Sequence, residues 1–169
     1  MATGTRVTRS TTIAAPPQRV WELVSDLPRM GAYSPEAVGG AWVGGSGPVL
    51  GAVFRGRNAR GPRRWSTRSR VVRCVPGCAF AFEVSAGGLV AAEWAYDLEP
   101  VGDGCRLTET WTDRRGALLV RLGALVTGVA DREGFTAQSI EQTLARVKER
   151  AERQERTASA AKPDEPPAR

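Results

Sequence analysis

The sequence contains no histidine. That removes Ser-His-Asp and Cys-His nucleophile systems and every imidazole metal ligand at once. Any chemistry must therefore run on carboxylates, tyrosine, arginine, hydroxyls or water. The three cysteines, Cys74, Cys78 and Cys105, are too few for a four-thiolate zinc site, and an odd number does not suit a disulfide framework. Cys74 and Cys78 flank the turn Val75-Pro76-Gly77, where a redox pair is one reading and small semi-buried thiols the commoner one. No metal and no cofactor is expected. One carboxylate stands apart. Strand alternation puts Arg106, Thr108, Thr110 and Thr112 on one face and Cys105, Leu107, Glu109 and Trp111 on the other. Glu109 thus shares the apolar face, where an acid is costly unless hydrogen-bonded or neutralised. A rim position, or a partner arginine or hydroxyl, is the plain explanation. The functional explanation is a polar anchor for a ligand, or an acid or base working with Tyr33 or Tyr96.

The elements that position these groups follow from periodicity. Phe135, Ile140, Leu144, Val147 and Ala151 recur at three-to-four spacing, which predicts a helix from Asp131 to about Arg156 with one buried stripe. Glu149 with Arg153 and Glu152 with Arg156 are carboxylate-before-guanidinium pairs one turn apart, suited to its exposed side. Arg6 to Ile13 is dense in β-branched residues and reads as a strand. A short helix begins at Pro16 or Pro17, where a missing N–H is no loss, and buries Val20, Leu23, Val24 and Leu27. From Glu36 to Asp113, Gly-rich and Pro-Gly turns separate six further strands: Ala37–Val43, Ala52–Asn58, Arg64–Cys74, Ala79–Val84, Leu89–Glu99 and Cys105–Asp113. Alternation turns Trp65, Thr67, Ser69 and Val71 inward, then Phe80, Phe82 and Val84, then Val90, Ala92, Trp94, Tyr96 and Leu98. The expected fold is α+β, a seven-stranded curved antiparallel sheet wrapped around a long C-terminal helix.

Ser10 to Asp26, with Pro16-Pro17 and Val20-Trp21-Glu22-Leu23-Val24 inside it, followed by Tyr33-Ser34-Pro35, resembles the N-terminal signature of the START-like, helix-grip (SRPBCC) superfamily of polyketide cyclase/dehydrase-type proteins. Pro76 to Phe82 and Arg106 to Trp111 agree with it. The resemblance covers Arg6 to about Arg153. It implies an apolar cavity between sheet and long helix, in a superfamily whose members bind lipids, sterols, polyketides or hormones and of which a minority catalyse cyclisation or dehydration. No shared catalytic set exists to be carried over, and a fold alone does not define chemistry.

Length fits one domain, since 169 residues lie within the roughly 100 to 200 usual for one. The domain is expected over residues 1–156, and residues 157–169, without apolar period, are expected to be disordered. Met1 to Arg9 has no apolar run behind its charges, so neither a secretory signal nor an anchor is expected. The apolar run Gly116 to Ala130 contains Arg121 and falls short of the about 20 residues of a membrane span. A cytoplasmic location follows as the expectation. The run itself reads as a buried helix or a lid over a cavity mouth, with glycines 116, 123 and 128 as hinges. Basicity is local: Arg55, Arg57, Arg60, Arg63, Arg64, Arg68, Arg70 and Arg73 lie in a stretch without an acid, against a whole-chain net charge of +6. An outer sheet face in solvent is the plain reading. An interaction module docking an anionic partner is the other. The aromatics between these arginines point inward, which argues against nucleic acid because no stacking platform accompanies the charge.

The reading adopted is binding of a small hydrophobic, lipid-like or polyketide-like molecule in an internal cavity. Its expected lining is Tyr33, Trp42, Phe54, Trp65, Thr67, Phe80, Phe82, Trp94, Tyr96, Glu109, Trp111, Leu122 and Phe135. A cyclase or dehydratase using Glu109 with Tyr33 or Tyr96 is the enzymatic alternative. The pattern assigns no oligomeric state.

Overall fold

The computed structural model describes residues 4–45 and 47–161. Strand β1 (Arg6–Ile13) leads into helix α1 (Pro17–Ser25) and a 3-10 turn (Leu27–Ala32). The meander follows as β2 (Ala37–Val43), β3 (Val53–Arg60), β4 (Arg63–Val75), β5 (Ala79–Ala86), β6 (Leu89–Val101) and β7 (Gly104–Asp113), and the chain ends in α2 (Ala117–Thr127) and α3 (Arg132–Ala160). All seven strands form one antiparallel sheet in the order β1-β7-β6-β5-β4-β3-β2. The fold is therefore the α+β helix-grip expected, with α3 lying against β1 and the inner face of the sheet.

Local chemistry explains the element ends. Pro17 opens α1 in the first turn, where its absent N–H costs nothing. Trp21, outside the stripe expected for α1, is buried, and its indole N–H donates to the Ala79 carbonyl at 3.1 Å. Asp131 caps α3 by accepting from the Gly134 N–H at 2.9 Å. At the other end of the grip, Lys148 Nζ donates to the Thr12 carbonyl at 2.6 Å, and Glu152 accepts from the Ala14 N–H at 3.0 Å. These two contacts fasten α3 to the end of β1.

Alternation places most inward residues correctly and fails at one bulge. Between Val84 and Ser85 the β5–β6 register shifts, so Val84 pairs with Ala92 but Ser85 with Val90. Val90 is consequently exposed rather than inward. The tail expectation also needs correction: helix α3 continues through Thr157 to Ala160, while residues 162–169 lie outside the described residues.

The run between meander and α3 is a helix, but not a buried one. Gly123, Ala124 and Thr127 of α2 are half-buried, whereas Leu122, Leu125 and Val126 are exposed. Gly128 ends the helix at φ +69° with its N–H on the Ala124 carbonyl, and a Cβ there would meet the Arg63 guanidinium at 2.9 Å. No helix among the described residues is long and apolar enough to cross a membrane.

Candidate functional site

A cavity of about 140 Å³ lies between the inner sheet face, the 3-10 turn and the N-terminal half of α3. Strands β3 to β7 deliver Phe54, Trp65, Thr67, Phe82, Trp94, Tyr96 and Glu109 to its wall. The same alternation that put these side chains inward in sequence thus brings seven of the expected lining residues to one space.

The other six lie elsewhere, each for a visible reason. Tyr33 is buried after the 3-10 turn and bounds an outer groove with Arg146 and Arg150 instead. Trp42 packs edge-on against Phe54, centroids 5.4 Å apart, on the edge strand. Phe80 is enclosed between Trp21 and Phe82. Trp111 is buried opposite Trp94 across β6 and β7 but does not reach the cavity. Leu122 faces solvent on α2. Phe135 lies at the start of α3, under the guanidinium groups of Arg60 and Arg132 at 5.2 and 5.4 Å.

Polar groups on the wall were mostly not anticipated. From α3 come Ser139 and Thr143, not the apolar stripe. Thr143 spends its proton on the Ser139 carbonyl at 2.9 Å. Asn58 donates to Thr67 Oγ1 at 3.1 Å across β3 and β4. Arg132 forms a two-pronged pair with Glu36 at 3.0 and 2.7 Å, both largely shielded from water. The signal for the hydroxyls was present in sequence: Thr136, Ser139 and Thr143 repeat with helical spacing beside Ile140 and Leu144.

Glu109 is the centre of the arrangement. It is 1% exposed, and its Oε1 accepts from the Tyr96 hydroxyl at 2.9 Å. Oε2 has no partner. Burial pushes the carboxyl up from the ordinary 4.5 to about 8, against the smaller opposing effect of the Tyr96 hydrogen bond. Tyr96 rises well above its ordinary value through burial first, then through the neighbouring carboxylate. At neutral pH the pair is therefore a protonated acid beside a protonated phenol. Chemically that is a proton donor in a cavity, with one oxygen left for something other than protein.

A surface groove bounded by Val38, Arg57, Asn58, Arg64, Trp65 and Ser66 shares Arg57, Asn58 and Trp65 with the cavity. Of the arginine-rich stretch, Arg60 donates to the carbonyls of Thr127 and Gly128, Arg63 lies against Gly128, and Arg73 pairs with Asp97 at 2.8 Å. Arg55, Arg57, Arg64, Arg68 and Arg70 remain exposed.

Comparison with known proteins agrees with this architecture. A family model described as polyketide cyclase / dehydrase and lipid transport matches residues 4–152. The chain belongs to that family. Like this polyketide cyclase/dehydrase family member, a Polyketide_cyc-like protein of Corynebacterium glutamicum has the same fold: 30% identity over 98% of this chain and 100% of that one, at a TM-score of 0.63. The di-domain ARO/CYC protein StfQ of the steffimycin biosynthetic pathway is similar in fold, with 15% identity and a TM-score of 0.69 over 90% of this chain and 51% of that one. BexL, the di-domain ARO/CYC protein of the BE-7585A biosynthetic pathway, is similar at 18% identity and a TM-score of 0.66, over 89% of this chain and 50% of that one. The chain thus spans about half of each of these two di-domain proteins. No curated protein matches it.

Proposed function

We propose that the protein, in a cytoplasmic setting, binds one small, mainly apolar molecule carrying a hydrogen-bond acceptor, held with that atom on Glu109. The observation that carries this reading is the unpartnered, buried Oε2 of Glu109 on a cavity wall. A polar atom out of water and without a partner is destabilising, and a ligand atom there relieves it. Because burial keeps the carboxyl protonated near neutral pH, it donates, and the complementary group is a ketone, quinone or ester carbonyl. Trp65, Phe82 and Trp94 supply flat apolar walls for the rest.

Volume sets the scale. A space of about 140 Å³ encloses one ring, as an apolar cavity of about 150 Å³ takes benzene. The remainder of a longer lipid-like or polyketide-like molecule leaves past Asn58 and Trp65, which border both the cavity and the surface groove. The family's description, which joins cyclase and dehydrase chemistry to lipid transport, supports this ligand class. The test is tryptophan fluorescence during titration with a one-ring ketone such as acetophenone. Saturable quenching is expected. Glu109→Gln, which can still donate, should bind within a few-fold of wild type, and Glu109→Leu at least about tenfold more weakly. No saturable response, or undiminished binding by the leucine variant, overturns the reading.

A second reading is favoured by one observation, a carboxylic acid whose proton is held up to about pH 8 beside Tyr96. Such a group can protonate a carbonyl or a departing hydroxyl in cyclisation and dehydration of a polyketide-like chain. The pair that carries it is Glu109 with Tyr96, since Tyr33 lies outside the cavity. Glu109→Gln then separates the readings: it abolishes turnover while leaving binding intact.

A further inference from the structure

Helix α2 presents its residues the wrong way round for a helix belonging only to this domain. Gly123, Ala124 and Thr127 turn toward the body, while Leu122, Leu125 and Val126, at i, i+3 and i+4, face out. Leu125 is 74% exposed and Leu122 48%. Folding alone rewards the opposite arrangement, and a contiguous aliphatic face left in water marks a contact surface.

Three elements meet at this end of the sheet. The antiparallel register puts the β3–β4 tip, where Arg60 pairs with Arg63, and the β5–β6 tip, where Ala86 pairs with Leu89, on the same side. Leu89 and Val90 are exposed there too. Arg114 N–H on the Ala91 carbonyl brings the start of α2 beside that second tip, and Arg60 on the carbonyls of Thr127 and Gly128 fixes its end to the first. The aliphatic helix is therefore anchored between two hairpins.

Charge decides what such a surface meets. Arg64 and Arg121 are exposed and have no carboxylate partner among the described residues. Of the acids near by, Glu36, Glu93 and Asp113 are each neutralised by an arginine, at 2.7, 2.6 and 2.7 Å, while Asp131 caps α3 by accepting from the Gly134 N–H. The end as a whole is aliphatic and positive. Among the described residues it offers no exposed aromatic to a nucleobase, and its leucines and valines are suited to acyl chains while the arginines suit lipid phosphates. We infer that this end of the molecule, α2 with the β3–β4 and β5–β6 tips, docks on an anionic lipid bilayer surface. The groove at Asn58, Arg64 and Trp65 belongs to the same β3–β4 hairpin, so a docked molecule holds that groove close to the bilayer.

The test is co-sedimentation of the full chain with phosphatidylcholine vesicles, with and without about one-third phosphatidylglycerol, at low and high salt. Binding to the anionic vesicles alone, falling steeply with salt, is expected. Leu122→Ser with Leu125→Ser should weaken it on the order of tenfold, because both side chains lose their insertion into the acyl boundary. Arg64→Ser with Arg121→Ser should weaken it by a similar factor and flatten the salt dependence. All four positions are exposed, so melting curves should stay close to wild type; if one variant does not fold, the wild-type salt and lipid dependence still decides. Absence of binding to anionic vesicles at low salt overturns the inference. So does equal binding by the leucine variant, or a wild-type dimer that the leucine variant dissolves while vesicles bind nothing.

Discussion

Tyr96 and Glu109 stand directly opposite each other on β6 and β7, and the phenol donates to one carboxyl oxygen at 2.9 Å while the other is left bare. The pairing is set by register alone: a shift of one residue would have sent the acid to the outer face. Everything proposed for the cavity depends on that one hydrogen-bonded couple.

Its first consequence is a pH-dependent stability. The folded-state pKa of Glu109 is raised from 4.5 to about 8, so the folded protein holds the proton more tightly than the unfolded chain. The resulting stability is fully present below about pH 4.5 and is lost as pH rises toward 8. The loss is on the order of a few kcal/mol. Melting temperatures across that window should fall for wild type and stay flatter for Glu109→Gln. Parallel profiles would show that the carboxyl is not proton-bound in the fold.

Tyr96→Phe removes the hydroxyl that partly offsets burial at Glu109. Its carboxyl should then rise further, so the downward slope in stability should extend to higher pH than in wild type. A pH series of denaturant midpoints reads this directly. A slope that shifts the other way would mean that the phenol, not burial, keeps the proton on.

Arg60→Ser should cost on the order of 1 kcal/mol, since Arg60 caps the C-terminal carbonyls of α2 and lies over Phe135. Amide exchange in residues 117–128 should speed up with it. Arg64→Ser, exposed and unpaired among the described residues, should stay within about 0.5 kcal/mol. Two arginines four residues apart in sequence are thereby distinguished by the carbonyls and the ring that only Arg60 meets.

Gly40→Ala tests the edge of the sheet. A Cβ there would collide with the Arg55 carbonyl and with the Phe54 ring, which packs against Trp42. Backbone cannot yield cheaply, so a loss on the order of 1 to 3 kcal/mol is expected from chemical denaturation. An unchanged midpoint would mean that β2 moves freely from β3.

Sheet faces are legible in the sequence wherever alternation runs unbroken, which is why Glu109, flanked by Leu107 and Trp111, reads as inward from residue order alone. Val90 falls on the wrong face because the bulge at Val84/Ser85 adds one residue to β6 without a marking residue of its own: Gly87 and Gly88 near by already read as the hairpin turn. Phe135 and Leu122 were assigned to the cavity because an apolar residue reads the same whether its neighbour is a core, a guanidinium or solvent. Ser139 and Thr143 were overlooked for the complementary reason: a stripe traced only through apolar letters passes over hydroxyls on the same face.

The pairing of β1 with β7 also fixes an order of events in folding. Thr8 meets Thr110 at a sequence separation of 102, and the helix packed on β1 comes later still. On a ribosome, β1 therefore emerges with neither its strand partner nor its covering helix yet made, and its hydrogen-bonding edge must wait for both. The sheet can zip from β2 through β7 by local hairpins, but closure of its last edge carries the largest loop entropy in the molecule. Until then the slow step leaves Val7 and Ile13, both buried in the finished fold, as the exposed sites on which a chaperone or a neighbouring nascent chain would first take hold.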